Sequence, residues 1–414
     1  VTRLASVLAF FGLKVAVGLL LLKLSARFLP VAGFTQFAQF LAFAALLNLL
    51  AVGGAQSGLI REAAAADGAE DLAATRGAAF LIWGAMLAML LPVIGLASGA
   101  ISHVLTGSWS HWPAVLAIAV LTLPGGAGQI WCGLLSGRGK VVASLSAQAL
   151  GLATGLAAAA WFLVSGRPIV ATLAFTSGGL VTTAAAAMLI APLKIPAAPF
   201  HAALVRVRPL VRYSAAMAAT TGFSSLVLFG LRAHYREGFG HTELGYWMAA
   251  NRVSDMTTQL LGLFMIQSFV PRLARQDDAT TARRLALRFW AAGVAGMAGA
   301  AIVFALGSHL LVRLFLSEAY LPAIPVIQTY MIGDCFRVWA SVAMYSAFAR
   351  GQPGRYAAIE IGALGLMAAI TVTLAALGEG RAPQFGYVAA YAIVAALVSL
   401  NALRQARSSR QVPA

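Results

Sequence analysis

The chain has 414 residues, 60% hydrophobic and 10% charged, with a net charge of +16 and a mean hydropathy of +0.85. Soluble domains carry roughly 25% charged residues, so this composition excludes an ordinary soluble protein and points to a polytopic membrane protein. The positive charge gathers in short loops between apolar runs, which fits the positive-inside rule rather than nucleic-acid binding.

A span needs roughly 20 apolar residues. Twelve are predicted, at 4–28, 34–56, 77–104, 113–135, 141–164, 169–191, 210–233, 244–270, 285–308, 322–349, 356–378 and 384–403. The first run is too long for a cleaved signal and contains Lys14 and Lys23, so it is expected to be a mature helix. Turn chemistry separates the runs, as at Leu29-Pro30, Gly166-Arg167-Pro168 and Gly351-Gln352-Pro353-Gly354. With the N-terminus inside, 19 Lys and Arg fall on cytoplasmic segments and 6 on outer ones, while Lys14, Lys23, Arg252 and Arg337 remain within spans. That bias predicts both termini in the cytoplasm and an even number of helices.

The halves resemble each other. "VAGFTQFAQF" aligns with "ELGYWMAANR", placing Gly33 against Gly245. Arg61 falls against Arg272, and Arg138 in "SGRGKVV" against Arg350 in "ARGQPGR". The offsets are 212, 211 and 212 residues. The expected fold is therefore an all-α polytopic membrane protein of about 12 transmembrane helices in two six-helix lobes. A parallel repeat relates the lobes and places a substrate site between them. The expected divisions are 1–191, a cytoplasmic linker at 192–209, 210–405, and a tail at 406–414. Gly-rich stretches such as Pro124-Gly125-Gly126 are candidate bends.

Loops much beyond twenty residues are missing, which leaves little room for the catalytic constellation of a membrane transferase, and no enzymatic activity is expected. "SGRGKVV" lacks the first glycine of a Walker A loop, and Val141 follows Lys140 where Ser or Thr is required. Cys132 and Cys335 offer neither a disulfide framework nor metal spacing. The six histidines lack zinc spacing, so no metal and no cofactor are expected. Trp109 and Trp112 in "TGSWSHWP" read as interfacial anchors.

Charges inside spans are the candidate functional residues, because each costs ~2.5–3.5 kcal/mol at the bilayer centre on insertion scales. Lys14 lies roughly 15 Å along the first span, and Lys23 projects about 180° away from it. Lys23 shares a face with Arg27 nearer the outer surface, where snorkelling is the alternative to a cavity role. Arg252 with Asp255, and Asp334 with Arg337, are each three residues apart and share a helix face. Each pair can neutralise itself, or the two can pair across helices. In the functional reading, Arg252 and Arg337, joined by Arg232, bind an anion, while Asp255 and Asp334 hold them or relay a proton. Intramembrane acids are confined to the second half, with Glu360 as a third candidate, whereas basic residues occur in both halves. That favours an anionic substrate over a cationic one. Tyr246, Trp247, Tyr330 and Trp339 lie beside the charged pairs and are candidate sugar contacts.

"GLKVAVGLLLLKLSARFLPVAGFTQFAQF", "LGYWMAANRVSDMTTQLLGLFMIQSFVPRLAR" and "YMIGDCFRVWASVAMYSAFARGQPGRYAAIEI" together resemble the Wzx-type flippases of O-antigen and enterobacterial common antigen synthesis. These belong to the multidrug/oligosaccharidyl-lipid/polysaccharide exporter superfamily. The likeness rests on both lysines, Ser254-Asp255, the Pro271 exit and Gly333-Asp334 with a basic residue at 337. Arg252 departs from the pattern. The resemblance implies a flippase in the bacterial inner membrane that carries an undecaprenyl-pyrophosphate-linked oligosaccharide by alternating access. It also implies membrane lipid, a polysaccharide polymerase and chain-length proteins as partners. Two other readings are a drug or metabolite antiporter on the same scaffold and an assembly partner without transport of its own.

Overall fold

The computed structural model describes residues 2–52, 56–192, 198–265, 269, 272–273, 276, 278–350 and 352–408. Lys194, Pro271, Arg275, the turn residue Gly351 and residues 409–414, with Arg410, lie outside the described residues, as do the side chains of Arg3, Arg212, Arg404 and Arg407. Among the described residues the chain is helical, without strands. Eight helices are long and apolar enough to cross a membrane. The chain is an all-helical, multi-pass membrane protein.

The described residues of the expected spans are helical except at their ends, where Val52, Ala191, Leu377 and Gly378 lie in turns or bends. The chain divides into two compact units, Val1–Phe229 and Gly230–Ala414. In the first unit, α1 (Thr2–Phe28) ends where Pro30 restricts the preceding residue, and α2 (Val31–Ala51) follows. A short helix, α3 (Gln56–Ala65), then occupies what the sequence suggested was loop. α4 (Ala69–Thr106) spans 38 residues and closes on Gly107 at φ 76°, whose N–H bonds the His103 carbonyl at 2.7 Å. α5 (Trp112–Thr122) and α6 (Gly126–Gly137) are separated by a tight turn at Leu123–Gly125, the predicted bend. The Trp83 indole donates to the Leu123 carbonyl there at 3.1 Å. α7 (Val141–Val164), α8 (Pro168–Leu173) and α9 (Gly179–Ile190) follow, with a wide π turn between the last two.

Helix contact in this unit depends on missing side chains. A Cβ on Gly155 would stand 2.6 Å from the Phe175 carbonyl oxygen, and one on Gly179 2.9 Å from that of Gly151. Lipid supplies no hydrophobic drive between helices, so such close backbone approach is what holds α7 against α9. Polar ties fix α3: Arg206 reaches Glu62 at 3.4 Å and also bonds Asp71, while Arg138 donates to the Ala66 carbonyl at 3.3 Å.

Helix continues from Phe200 to Phe264, broken at Gly240, where φ is 85°. The two parts are α10 (200–239) and α11 (241–264). Helix therefore begins inside the expected linker, and residues 193–197 of that linker lie outside the described set. In the second unit, α12 (Ala279–Phe315) starts on Asp278, whose carboxylate accepts the Thr280 and Thr281 amides at 3.2 and 2.8 Å. α13 (Ile324–Ala349), α14 (Pro353–Ala376) and α15 (Ala382–Ser408) complete it, with α13 packed against the other three. Met265, Phe269, Leu273, Phe289 and Val342 form an apolar core at one end.

The helix bounds carry the sequence offset. α14 repeats the 24 residues of α7 with both ends shifted by 212 positions. α13 repeats the interval Trp112 to Gly137 of α5 and α6 with the same shift at both ends.

Candidate functional site

The second unit gathers the charged residues of its spans around one buried carboxylate. On α13, Tyr330, Asp334 and Arg337 are spaced four and three apart and share a face. On α11, Trp247, Asn251, Ser254 and Asp255 do the same. Asp334 is completely buried. Its Oδ1 accepts the Ser254 hydroxyl at 2.7 Å and the Tyr387 hydroxyl at 2.6 Å, so α11, α13 and α15 meet on one oxygen. Its Oδ2 has no hydrogen-bond partner among the described residues. A buried acceptor left so costs about 1–3 kcal/mol.

Gly333 permits this arrangement. The Tyr387 ring lies against α13 where a Cβ at Gly333 would collide with it. Tyr330 stacks on Tyr387 with centroids 4.6 Å apart and planes at 21°, and the Trp247 indole donates to the Tyr330 hydroxyl. Tyr235 meets the Trp247 ring edge-on at 5.4 Å.

The ion pair that the spacing on α13 allows is not formed. Arg337 turns to α14, where Nη2 lies 3.7 Å from Oε1 of Glu360. Nη1 lies 3.5 Å from the Tyr387 hydroxyl, and the guanidinium sits 5.5 Å from the centroid of the Tyr391 ring. The pair that the spacing on α11 allows is also absent among the described ion pairs: Asp255 instead accepts the Asn251 amide at 2.8 Å. Pairing across helices between the two sets is absent as well. Packing is the reason. Three-residue spacing puts two side chains on one face, but neighbouring helices offer Asp334 hydroxyls and Arg337 a carboxylate, and Asn251, one turn away on α11, offers Asp255 an amide.

Arg252 is half-buried, and among the described residues it has no hydrogen-bond or ion-pair partner. Arg232 is buried and feels the opposing charges of Arg252 and Asp255, with Tyr330 beside them. Thus Arg232, Arg252, Asp255 and Tyr330 form one group, and Asp334, Arg337, Glu360, Tyr387 and Tyr391 a second, joined through the stacked tyrosines. Trp247 and Tyr330 are fully buried, so neither is open to a sugar in this conformation. Trp339 is half-buried, bonds Ser399 at 3.0 Å and meets Trp290 edge-on at 4.6 Å. Tyr246 is half-buried against Tyr320. Lys14 and Lys23 lie on α1 of the first unit, exposed and half-buried respectively. Sequence reasoning missed Tyr387 and Tyr391. Their signal was two phenolic hydroxyls four residues apart in an apolar run, each needing a buried partner.

Among the described residues no group of three or more His, Cys, Asp and Glu could hold a metal ion. Outside the membrane, burial and the charge of Arg236 hold the His241 imidazole below its ordinary value.

The fold is shared with solved transporters of low sequence identity. An inward-facing multidrug resistance MATE family transporter of the MOP superfamily superposes with a TM-score of 0.73 at 14% identity, covering 98% of this chain and 96% of that one. The lipid II flippase MurJ in an inward closed conformation gives 0.74 at 12%, covering 97% and 87%. A MOP superfamily transporter from Pyrococcus furiosus Vc1, described as having a binding pocket of reverse polarity, gives 0.62 at 13%, covering 99% and 96%. No curated protein sequence matches. The family described as polysaccharide biosynthesis protein matches residues 4–277, and the chain belongs to that family.

Proposed function

We propose that the protein is a flippase. It moves an undecaprenyl-pyrophosphate-linked oligosaccharide, such as an O-antigen, common-antigen or exopolysaccharide repeat unit, from the cytoplasmic to the periplasmic leaflet of a bacterial inner membrane. In this reading the twelve apolar segments are twelve spans in two six-helix lobes with both termini in the cytoplasm. The 212-residue shift shared by α7 with α14, and by α5–α6 with α13, supports the parallel repeat. The prenyl tail stays in lipid while the head group crosses. A polymerase and chain-length proteins would receive the product.

The observation that carries the reading is Arg252, half-buried in a span without a hydrogen-bond or ion-pair partner among the described residues, beside the buried Arg232. Guanidinium groups at membrane depth need an anion or water, and a pyrophosphate satisfies them with bidentate bonds. Family membership directs the same chemistry to polysaccharide assembly. Asp334, already held by two hydroxyls, fixes the helices around the arginines.

The test is export in a strain lacking its own flippase. Wild-type protein restores surface polysaccharide, whereas Arg337→Ala and Lys14→Ala abolish it at normal protein abundance. Full export by both variants contradicts the anion reading. Resistance to cationic drugs conferred by the wild type would favour an antiporter instead.

A further inference from the structure

We infer that Glu360 is an exchangeable counter-ion, holding Arg337 until a phosphate-bearing head group displaces it. The inference rests on the flippase reading above and deepens it. Two kinds of contact stand side by side at this site. Asp334 is fully buried and held by two short bonds of 2.6 and 2.7 Å, a fixed joint between α11, α13 and α15. Arg337 is held loosely. Its contact with Glu360 is 3.7 Å, where charge-assisted bonds run about 2.7–2.9 Å, and its contact with Tyr387 is 3.5 Å. The Tyr391 ring adds a cation–π contact at 5.5 Å, a weak restraint without direction. The arginine side chain is 30% exposed and that of Glu360 14%, while Asp334, Tyr387 and Tyr391 beside them are buried.

A guanidinium has five N–H donors, and these partners leave most of them unused. A phosphate group offers the bidentate geometry that this single long carboxylate contact lacks, and is the better ligand for Arg337. Glu360 keeps the site neutral when it is empty and gives way when it fills. Arg337 is on α13 and Glu360 on α14, so the exchange also releases a link between those two helices. Asp255 and Asp334 also act on Arg337, but Asp255 is already bonded to Asn251 and Asp334 to Ser254 and Tyr387, so neither takes the place of Glu360.

The test is calorimetric titration of the purified full-length protein with inorganic pyrophosphate at low salt. Removing the competing carboxylate in Glu360→Gln should tighten binding about fivefold or more. Glu360→Asp, which withdraws the carboxylate by one methylene, should tighten it less. Arg337→Ala should weaken binding at least tenfold. A merely structural pair predicts equal or weaker binding in both Glu360 variants, and that result overturns the exchange while leaving the anion site standing. A gain in affinity is not something misfolding produces. Absence of binding by the wild type and by Glu360→Gln overturns the anion reading itself.

Discussion

Tyr387 donates its hydroxyl to Oδ1 of Asp334 across 2.6 Å, from α15 to α13. Ser254 on α11 donates to the same atom at 2.7 Å. Tyr387→Phe keeps the stacked ring and removes one donor from a buried carboxylate. It should cost about 1–3 kcal/mol, seen as a lower melting temperature of the detergent-purified protein. Ser254→Ala should shift it in the same direction. The double variant should depart from additivity, because both act on one oxygen.

Gly333 is where that ring fits, and a methyl there meets it. Gly333→Ala should destabilise the protein by about 1–3 kcal/mol, the usual penalty of overpacking. Truncating the ring in a Gly333→Ala/Tyr387→Ala double variant should remove most of the added defect. Thermal unfolding of the four proteins checks this.

Arg252 differs from Asp334 in having nothing among the described residues to hold. Arg252→Ala should therefore lower transport at least tenfold while leaving the melting temperature unchanged, and Arg252→Lys should recover part of the activity. A large drop in stability would assign Arg252 to the scaffold instead.

At the start of α12, bonds from the Thr281 hydroxyl and amide, with the Thr280 amide, hold the Asp278 carboxyl below the ordinary aspartate value. A depressed folded value stabilises the ionised cap above the unfolded value of about 3.9, and that stabilisation is lost as pH falls through the folded value. Asp278→Ala should fray the first turn of α12 at neutral pH, with the difference from wild type shrinking on acidification below about pH 4. Hydrogen exchange in that turn, corrected for its intrinsic pH dependence, measures it. Asp278→Asn should keep most of the cap at every pH.

The helices were legible because apolar runs end at residues with a physical reason to end them. The break at Leu123-Pro124-Gly125 and the repeat offset were visible in the same way. α3 was not, since a ten-residue helix is too short to read as a span, and it packs on α4 and α6. The importance of Asp334, Arg337 and Arg252 was legible from the cost of charge in lipid. Their partners were not, because Glu360 meets Arg337 across two helices and Tyr387 reaches Asp334 from 53 residues away. One asymmetry becomes clear only with the fold. At the same 212-residue offset, Asp334 corresponds to Thr122 and Arg337 to Gly125, so the first unit carries a neutral bend where the second carries its charges.

In the proposed cycle, Arg252 and Arg337 carry a pyrophosphate-linked glycan across the membrane. The most direct measurement is translocation of an undecaprenyl-pyrophosphate-linked oligosaccharide in proteoliposomes, followed by access of an external glycan-cleaving enzyme. Wild-type protein should expose the glycan, with Arg252→Ala and Arg337→Ala slowed at least tenfold at equal reconstitution. Translocation by both variants at the wild-type rate would contradict the account, and so would none by the wild type.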